Sequence, residues 1–87
     1  MKLEICWTNH AVQRQKEWNV KFGITKEEIE NLLKNPHQII KGDGETLIAQ
    51  SKRDNGLLRV VYIKGNNNIR IITLYWTSKI ERYLEEE

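Results

Sequence analysis

The sequence has one cysteine and no long apolar run, and each scarcity excludes a class of protein. A lone Cys6 cannot form a disulfide within the chain, and the cysteine and two histidines lack the spacing of a zinc site. No stretch approaches the roughly 20 apolar residues of a membrane-spanning helix, and the first residues lack the apolar segment of a secretory signal. These absences predict a soluble, cytoplasmic protein with no membrane partner, no metal and no cofactor.

The length of the chain limits the number of folding units. Its 87 residues fit one compact domain, residues 1–87, and leave no room for two. A chain of this length buries roughly 60–65% of its extended surface, so one modest core can form without a metal ion or a disulfide.

Charge is unevenly distributed, although the net charge is only +2. Between residues 46 and 80 there are six basic side chains and one acid, Asp54, whereas acids gather in residues 27–30 and 85–87. A basic half is typical of proteins that bind phosphate-bearing partners, but a solvated sheet with randomly placed charge explains it equally well. The residues predicted to contact nucleic acid are Lys52, Arg53, Arg59, Arg70 and Lys79.

The beginning of the chain predicts a strand followed by a helix. The alternating apolar side chains of LEICW, which start at Leu3, indicate a short strand. Thr8 or Asn9 then caps a helix that runs to about residue 20, and Gly23 is placed to end it.

The segment ITKEEIENLLKNP predicts a second helix over residues 25–35. Thr25 and Glu28 have the spacing of a capping box, and Ile24 and Ile29 have the spacing of a hydrophobic staple. The following proline ends the helix because it disfavours helical geometry in the residue before it.

After the second helix the pattern changes from helical to extended. HQIIKG, TLIAQSKR, LLRVVYIKG and NIRIITLYW read as four strands, and KGNNNI joins the last two as a hairpin with Lys64 opposite Ile69. Continued without interruption, that register puts Arg59 on the face opposite Thr73 and Tyr75, unless a β-bulge intervenes. TSKIERYLEEE closes the chain as a short helix with an acidic end.

These elements predict an α+β domain. Two N-terminal helices pack on a four-stranded antiparallel sheet, and a short C-terminal helix follows. We expect Thr73 and Tyr75 on the face away from the helices, because the face with Leu57 and Trp76 is better suited to packing under them.

His10 and Arg14 are the first candidates for chemistry because they lie one turn apart on the first predicted helix. A ribonuclease that uses the RNA 2′-hydroxyl as nucleophile needs a base, an acid and a cation. His10 can transfer protons and Arg14 can bind a phosphate, while Thr73 and Tyr75 can donate a hydrogen bond and stack on a base. Simpler explanations stay open: a solvated His10, an Arg14 paired with an acid three residues on, and strand residues that only pack.

The segments HAVQR, GITKEEIENLLKNP, LLRVVY and IITLYWTSKIERY resemble an uncharacterised bacterial and archaeal family over almost the whole chain. Its pattern runs H-A-x-x-R, then G-I-(T/S)-x-E-E-(I/V), then N-P, then a strand ending in T-x-Y. That family is regarded as a relative of the RelE and colicin D type of small ribonucleases. The resemblance implies their fold, in which two N-terminal helices precede a four-stranded antiparallel sheet.

The resemblance also implies roles for individual residues. His10 and Arg14 match the helix pair of the family. Thr73 and Tyr75 match the position at which colicin D-like domains carry a hydroxyl residue, one spacer and an aromatic residue. The basic strand positions of RelE-like toxins correspond to Lys52, Arg53 and Arg59.

The function expected from these residues is that of a metal-independent RNA endonuclease of the toxin type, with His10, Arg14, Thr73 and Tyr75 as its catalytic residues. Its partners would be RNA, either ribosome-associated mRNA or tRNA, and a cognate antitoxin protein. Two alternatives stay open: a non-catalytic module that binds RNA or protein, which needs only the basic charge, and a degenerate, purely structural member of the fold.

Overall fold

The computed structural model describes residues 4–83. In chain order the elements are strand β1 (Glu4–Trp7), helices α1 (Asn9–Phe22) and α2 (Lys26–Lys34), strands β2 (Gln38–Lys41), β3 (Thr46–Arg53), β4 (Gly56–Lys64) and β5 (Asn68–Thr77), and the one-turn helix α3 (Ile80–Tyr83). The predicted strand start at Leu3 and the acidic end of the last helix lie outside the described residues. None of the described helices is long and apolar enough to cross a membrane.

Side-chain caps set the ends of the two long helices. The Thr8 hydroxyl accepts the Ala11 N–H at 3.2 Å and so begins α1. Gly23 ends α1 at a φ of 70°, in the left-handed region that glycine adopts without a Cβ clash. Thr25 begins α2 by accepting the Glu28 N–H at 3.1 Å. The predicted caps are confirmed, although α1 runs past its predicted end.

The sheet has five strands in the order β1-β5-β4-β3-β2, so the predicted four-stranded antiparallel sheet is wrong. Strands β2 to β5 pair antiparallel as expected, but β1 adds to β5 in parallel, with Ile5 opposite Ile69 and Trp7 opposite Ile71. A strand of four residues cannot bury two apolar side chains alone, and pairing beside β5 places them against the core under the helices.

A β-bulge interrupts the hairpin of β4 and β5. Tyr62 lies opposite Ile71, whereas its neighbour Val61 lies opposite Thr73, so Ile72 is an extra residue on β5. Pairing follows the predicted register from the turn as far as Ile71 and is shifted by one residue beyond it.

The bulge corrects the predicted division of the sheet into two faces. Because side chains alternate along a strand, the shift separates Leu57 from Trp76. Trp76 packs under the helices as expected, whereas Leu57, expected on the same face, lies on the opposite one. The shift also turns Thr73 and Tyr75 to the face that carries Arg59, which the uninterrupted register had put on the opposite side. The site residues of β4 and β5 therefore share one face.

The face under α1 and α2 holds the main core. Burial there raises the pKa of the Tyr62 hydroxyl above its ordinary value of 10.0. The opposite face of the sheet, which we call the second face, carries Gln50, Arg59, Thr73 and Tyr75. The buried residues of the core are Ala11, Ile24, Ile29, Leu32, Leu33, Ala49, Leu58, Val60, Tyr62, Ile69, Ile71 and Leu74.

Candidate active site

The start of α1 is fastened to β5 at the bulge. The Thr8 hydroxyl donates to the Ile71 carbonyl at 2.8 Å, and it also lies 3.3 Å from the Ile72 carbonyl. His10 follows two residues later in the first turn, with its Nε2 atom 3.2 Å from the Thr73 hydroxyl. The structure thus brings together His10 and Thr73, two of the four residues predicted to be catalytic.

The contact between His10 and Thr73 suits proton transfer. Either group can donate the hydrogen bond, because a hydroxyl and an imidazole nitrogen each serve as donor or acceptor. His10 is exposed, so its ring is open to a ligand from solvent. At the first turn of a helix the unpaired backbone N–H groups and the helix dipole favour an anionic ligand beside the ring.

Arg14 is paired with the acid three residues on, which is the simpler of the two roles that the sequence left open. Its Nη1 atom lies 3.1 Å from the Glu17 carboxylate, in an ion pair whose side chains are 42% and 46% exposed. Its Nε atom is buried, and the described residues offer it no hydrogen-bond partner. An exposed ion pair of this kind contributes roughly 0–1 kcal/mol, so a phosphate can compete for the guanidinium.

Four side chains in direct register across β2, β3, β4 and β5 form a polar ladder on the second face: Gln38, Gln50, Arg59 and Tyr75. Gln50 donates from Nε2 to Gln38 Oε1 at 2.8 Å and accepts Arg59 Nε at 2.9 Å on its own Oε1. Arg59 donates from Nη1 to the Tyr75 hydroxyl. The ladder connects a buried cation to one of the predicted catalytic residues.

Arg59 is a buried member of the ladder. Its side chain is 4% exposed, and its guanidinium carbon lies 4.2 Å from the centre of the Tyr83 ring of α3. No carboxylate in residues 4–83 pairs with it. In this conformation Arg59 has no surface for the nucleic-acid contact that the sequence predicted for it.

Of the other cations predicted to bind nucleic acid, one is held in ion pairs and three are exposed to solvent. Arg53 forms ion pairs with Glu28 and Asp54 and donates to the Phe22 carbonyl at 2.9 Å, so it ties the end of β3 to both helices. The side chains still exposed to solvent are those of Lys52, Arg70 and Lys79.

Arg70 lies beside the start of α1. It is opposite Cys6 in the parallel pair of β1 and β5. Together with Trp7, Thr8 and Asn9, these two residues line a cavity of about 300 Å³. Of the three exposed cations predicted to bind nucleic acid, Arg70 is therefore the one that lines a cavity with the residues leading into the His10 turn.

The chain matches a known protein family. A family model described as a domain of unknown function, DUF4258, matches residues 7–76. The chain belongs to the DUF4258 family. The match confirms the resemblance to an uncharacterised family, but the description of DUF4258 names no activity and no link to RelE or colicin D ribonucleases. No curated protein and no solved structure matches the chain.

The matched DUF4258 region spans every residue of the candidate site on α1 and β5, namely His10, Arg14, Thr73 and Tyr75. It also includes Gln50, which sequence reasoning missed. A signal was present, because Gln50 is a polar residue that follows the apolar run LIA in a strand between two others. A polar side chain at such a position is usually buried and hydrogen-bonded.

Proposed function

We propose that this DUF4258 protein is a metal-independent RNA endonuclease of the toxin type. The contact between the His10 imidazole and the Thr73 hydroxyl supports this proposal, because it pairs a proton-transfer group with a hydroxyl at an exposed helix start. The spacing of Thr73 and Tyr75 also supports it, because it resembles the position at which colicin D-like ribonucleases carry a hydroxyl residue, one spacer and an aromatic residue.

The reaction is a transesterification within the RNA. The 2′-oxygen attacks the adjacent phosphorus, the bond to the 5′-oxygen breaks, and a 2′,3′-cyclic phosphate and a 5′-hydroxyl result. One group takes the proton of the 2′-hydroxyl and another gives a proton to the leaving oxygen, so a base and an acid complete the step. The substrate supplies its own nucleophile, and no protein nucleophile is needed.

The site residues take the following roles. His10 accepts the 2′-hydroxyl proton, and Thr73 holds the imidazole in position through the 3.2 Å contact. Tyr75, two residues farther along the same strand face, gives its phenol proton to the leaving 5′-oxygen of the scissile phosphate. Arg14 exchanges its Glu17 partner for the phosphate and stabilises the developing charge.

A non-catalytic RNA-binding module is the second candidate. The exposed side chains of Lys52, Arg70 and Lys79 favour it, because phosphate binding needs such cations whether or not cleavage follows. The two candidates differ in one observable, since a binding module retains RNA unchanged. A cognate antitoxin would be a protein that covers His10 and blocks cleavage.

The experiment compares two oligonucleotides of the same sequence in the presence of a chelator, one all RNA and one with a 2′-deoxy nucleotide at every position. The proposal predicts cleavage of the RNA with 2′,3′-cyclic phosphate ends and no cleavage of the DNA. Cleavage of both oligonucleotides, or loss of RNA cleavage on chelation, would contradict the mechanism. Binding of the RNA without cleavage would favour the second candidate.

A further inference from the structure

The arginine at the centre of the polar ladder has a bonding pattern that contact with RNA does not explain. Arg59 is 4% exposed, and Tyr83 covers its guanidinium. Moving a charged group out of water is strongly unfavourable unless neighbouring groups compensate it. Within residues 4–83 the Arg59 guanidinium donates to a glutamine oxygen and a phenol oxygen instead of to a carboxylate.

Gln50 fixes the orientation of this guanidinium. It is fully buried, and its amide nitrogen donates to Gln38 Oε1 at 2.8 Å and to the Tyr83 carbonyl at 3.0 Å. Its amide oxygen is thereby turned to Arg59 Nε. The reversed amide would place donors against the guanidinium, which has no acceptor, so only one orientation satisfies the ladder.

Arg59 in turn fixes the hydrogen bonding of Tyr75. Its Nη1 donates to the phenol oxygen, and that oxygen carries a single proton. Because the guanidinium already occupies one side of the oxygen as a donor, the phenol proton must point elsewhere. Thr73 lies two residues away on the same strand face, at a spacing of roughly 6–7 Å.

We infer that Arg59 is a positioning residue for Tyr75. Gln50 holds its guanidinium, which does not contact RNA, and the guanidinium turns the phenol proton of Tyr75 toward the scissile phosphate. This inference rests on the proposed ribonuclease function. It replaces the role in nucleic-acid binding that the sequence predicted for Arg59, and it gives Gln50 a role.

Two other roles for Arg59 make different predictions. As a phosphate contact it would govern RNA affinity and its salt dependence. As an anchor for α3, through its contact with the Tyr83 ring, it would affect stability whether or not Tyr75 has its hydroxyl. A positioning role alone makes the effect of Arg59 depend on the Tyr75 hydroxyl.

The experiment is a double-mutant cycle on RNA cleavage with Arg59→Met, Tyr75→Phe and the double variant. We expect Tyr75→Phe to lower kcat by about 100-fold or more, the usual range for a proton donor. Arg59→Met should lower kcat by about 10-fold or more with KM unchanged. In the double variant kcat should equal that of Tyr75→Phe, because Arg59 then has no proton to direct.

Losses from Arg59→Met that are equal in both backgrounds would overturn the inference. A rise in KM together with a log–log salt slope reduced by about 0.7 would overturn it too, because Arg59 would then contact a phosphate. If Arg59→Met does not fold, Gln50→Met makes the same test, since it removes the amide oxygen that holds Arg59 Nε but keeps the arginine itself. Tyr62→Phe, which removes a hydroxyl from the helix-covered face, is the matched control and should leave kcat unchanged.

The outcomes separate this inference from the proposed function. Wild-type cleavage that depends on His10 but is unchanged in Tyr75→Phe overturns the inference and leaves the ribonuclease in place. Absence of RNA cleavage by the wild-type protein removes both.

Discussion

The imidazole of His10 meets the hydroxyl of Thr73 across 63 positions of the chain. Two local features make the meeting possible. The bulge at Ile72 turns Thr73 to the second face, and the Thr8 hydroxyl fastens the first turn of α1 to the carbonyls at that bulge. The geometry of the proposed site therefore depends on residues that carry no chemistry themselves.

Thr8 should link stability to activity. Thr8→Val removes both the cap of α1 and the hydrogen bond to the Ile71 carbonyl, and we expect it to lower the free energy of unfolding by about 1–2 kcal/mol. RNA cleavage should fall beyond the loss explained by unfolding, because His10 is no longer held at Thr73. Urea denaturation and cleavage rates under folded conditions measure the two effects.

Thr25→Val is the matched control for Thr8→Val. It removes the cap of α2, a helix that contributes no residue to the candidate site, so stability should fall by a similar ~1 kcal/mol. Cleavage by the folded protein should be unchanged. Equal activity losses in the two variants would show that the anchoring role assigned to Thr8 is wrong.

The weak ion pair with Glu17 should leave Arg14 available to bind a phosphate. Glu17→Gln frees Arg14 and removes a negative charge, so RNA affinity at low salt should stay equal or rise. The free energy of unfolding should change by less than about 1 kcal/mol, because both side chains are partly exposed. Arg14→Gln should weaken RNA binding and cleavage together. Weaker RNA binding by Glu17→Gln would contradict the role proposed for Arg14.

Exposed and engaged cations should respond differently to substitution. RNA affinity should fall with salt by a log–log slope of about 0.7 per phosphate contact, and glutamine at a contacting position should reduce that slope. We expect a reduced slope for Lys52, Arg70 and Lys79. Arg53→Gln should keep the slope but lower stability, because Arg53 is held by Glu28 and the Phe22 carbonyl. A slope unchanged in all three exposed variants would remove the RNA contact surface.

Tyr62 should make stability depend on pH in alkaline solution. Its pKa is raised by burial in the folded protein, so the unfolded chain loses this proton at a lower pH than the folded chain does. Its contribution is therefore complete below the unfolded pKa, about 10, and is lost as the pH rises above that value. Urea denaturation between pH 9 and about 11 should show a smaller loss for Tyr62→Phe than for the wild-type protein. Equal losses would contradict the buried position.

Local signals in the sequence were sufficient for the helices and the hairpin turn. α2 has a threonine cap, a hydrophobic staple and a proline after it, and each predicts the same boundaries. The turn between β4 and β5 fixes a register that holds from Lys64 to Tyr62.

The bulge and the place of β1 have no such local signal. Ile72 is an ordinary strand residue within NIRIITLYW, and the alternating pattern passes through it without a glycine or a break. β1 was predicted as a strand, but its position beside β5 depends on packing between distant parts of the chain. The burial of Gln50 had a local signal in the apolar run before it, but its ladder partners had none, since the ladder is a cross-strand feature that only the strand register reveals.

The decisive measurement is the rate of RNA cleavage by His10→Ala beside that of His37→Ala, with both variants shown to be folded. His37 is the other histidine of the chain; it is exposed, and its backbone N–H donates to the Ser51 hydroxyl of β3 at 3.0 Å. Removal of a proton-transfer group should slow cleavage by roughly 100- to 10,000-fold in His10→Ala, whereas His37→Ala should cleave like the wild-type protein. Equal cleavage by the wild-type protein and His10→Ala would contradict the assignment of the active site to His10 and Thr73.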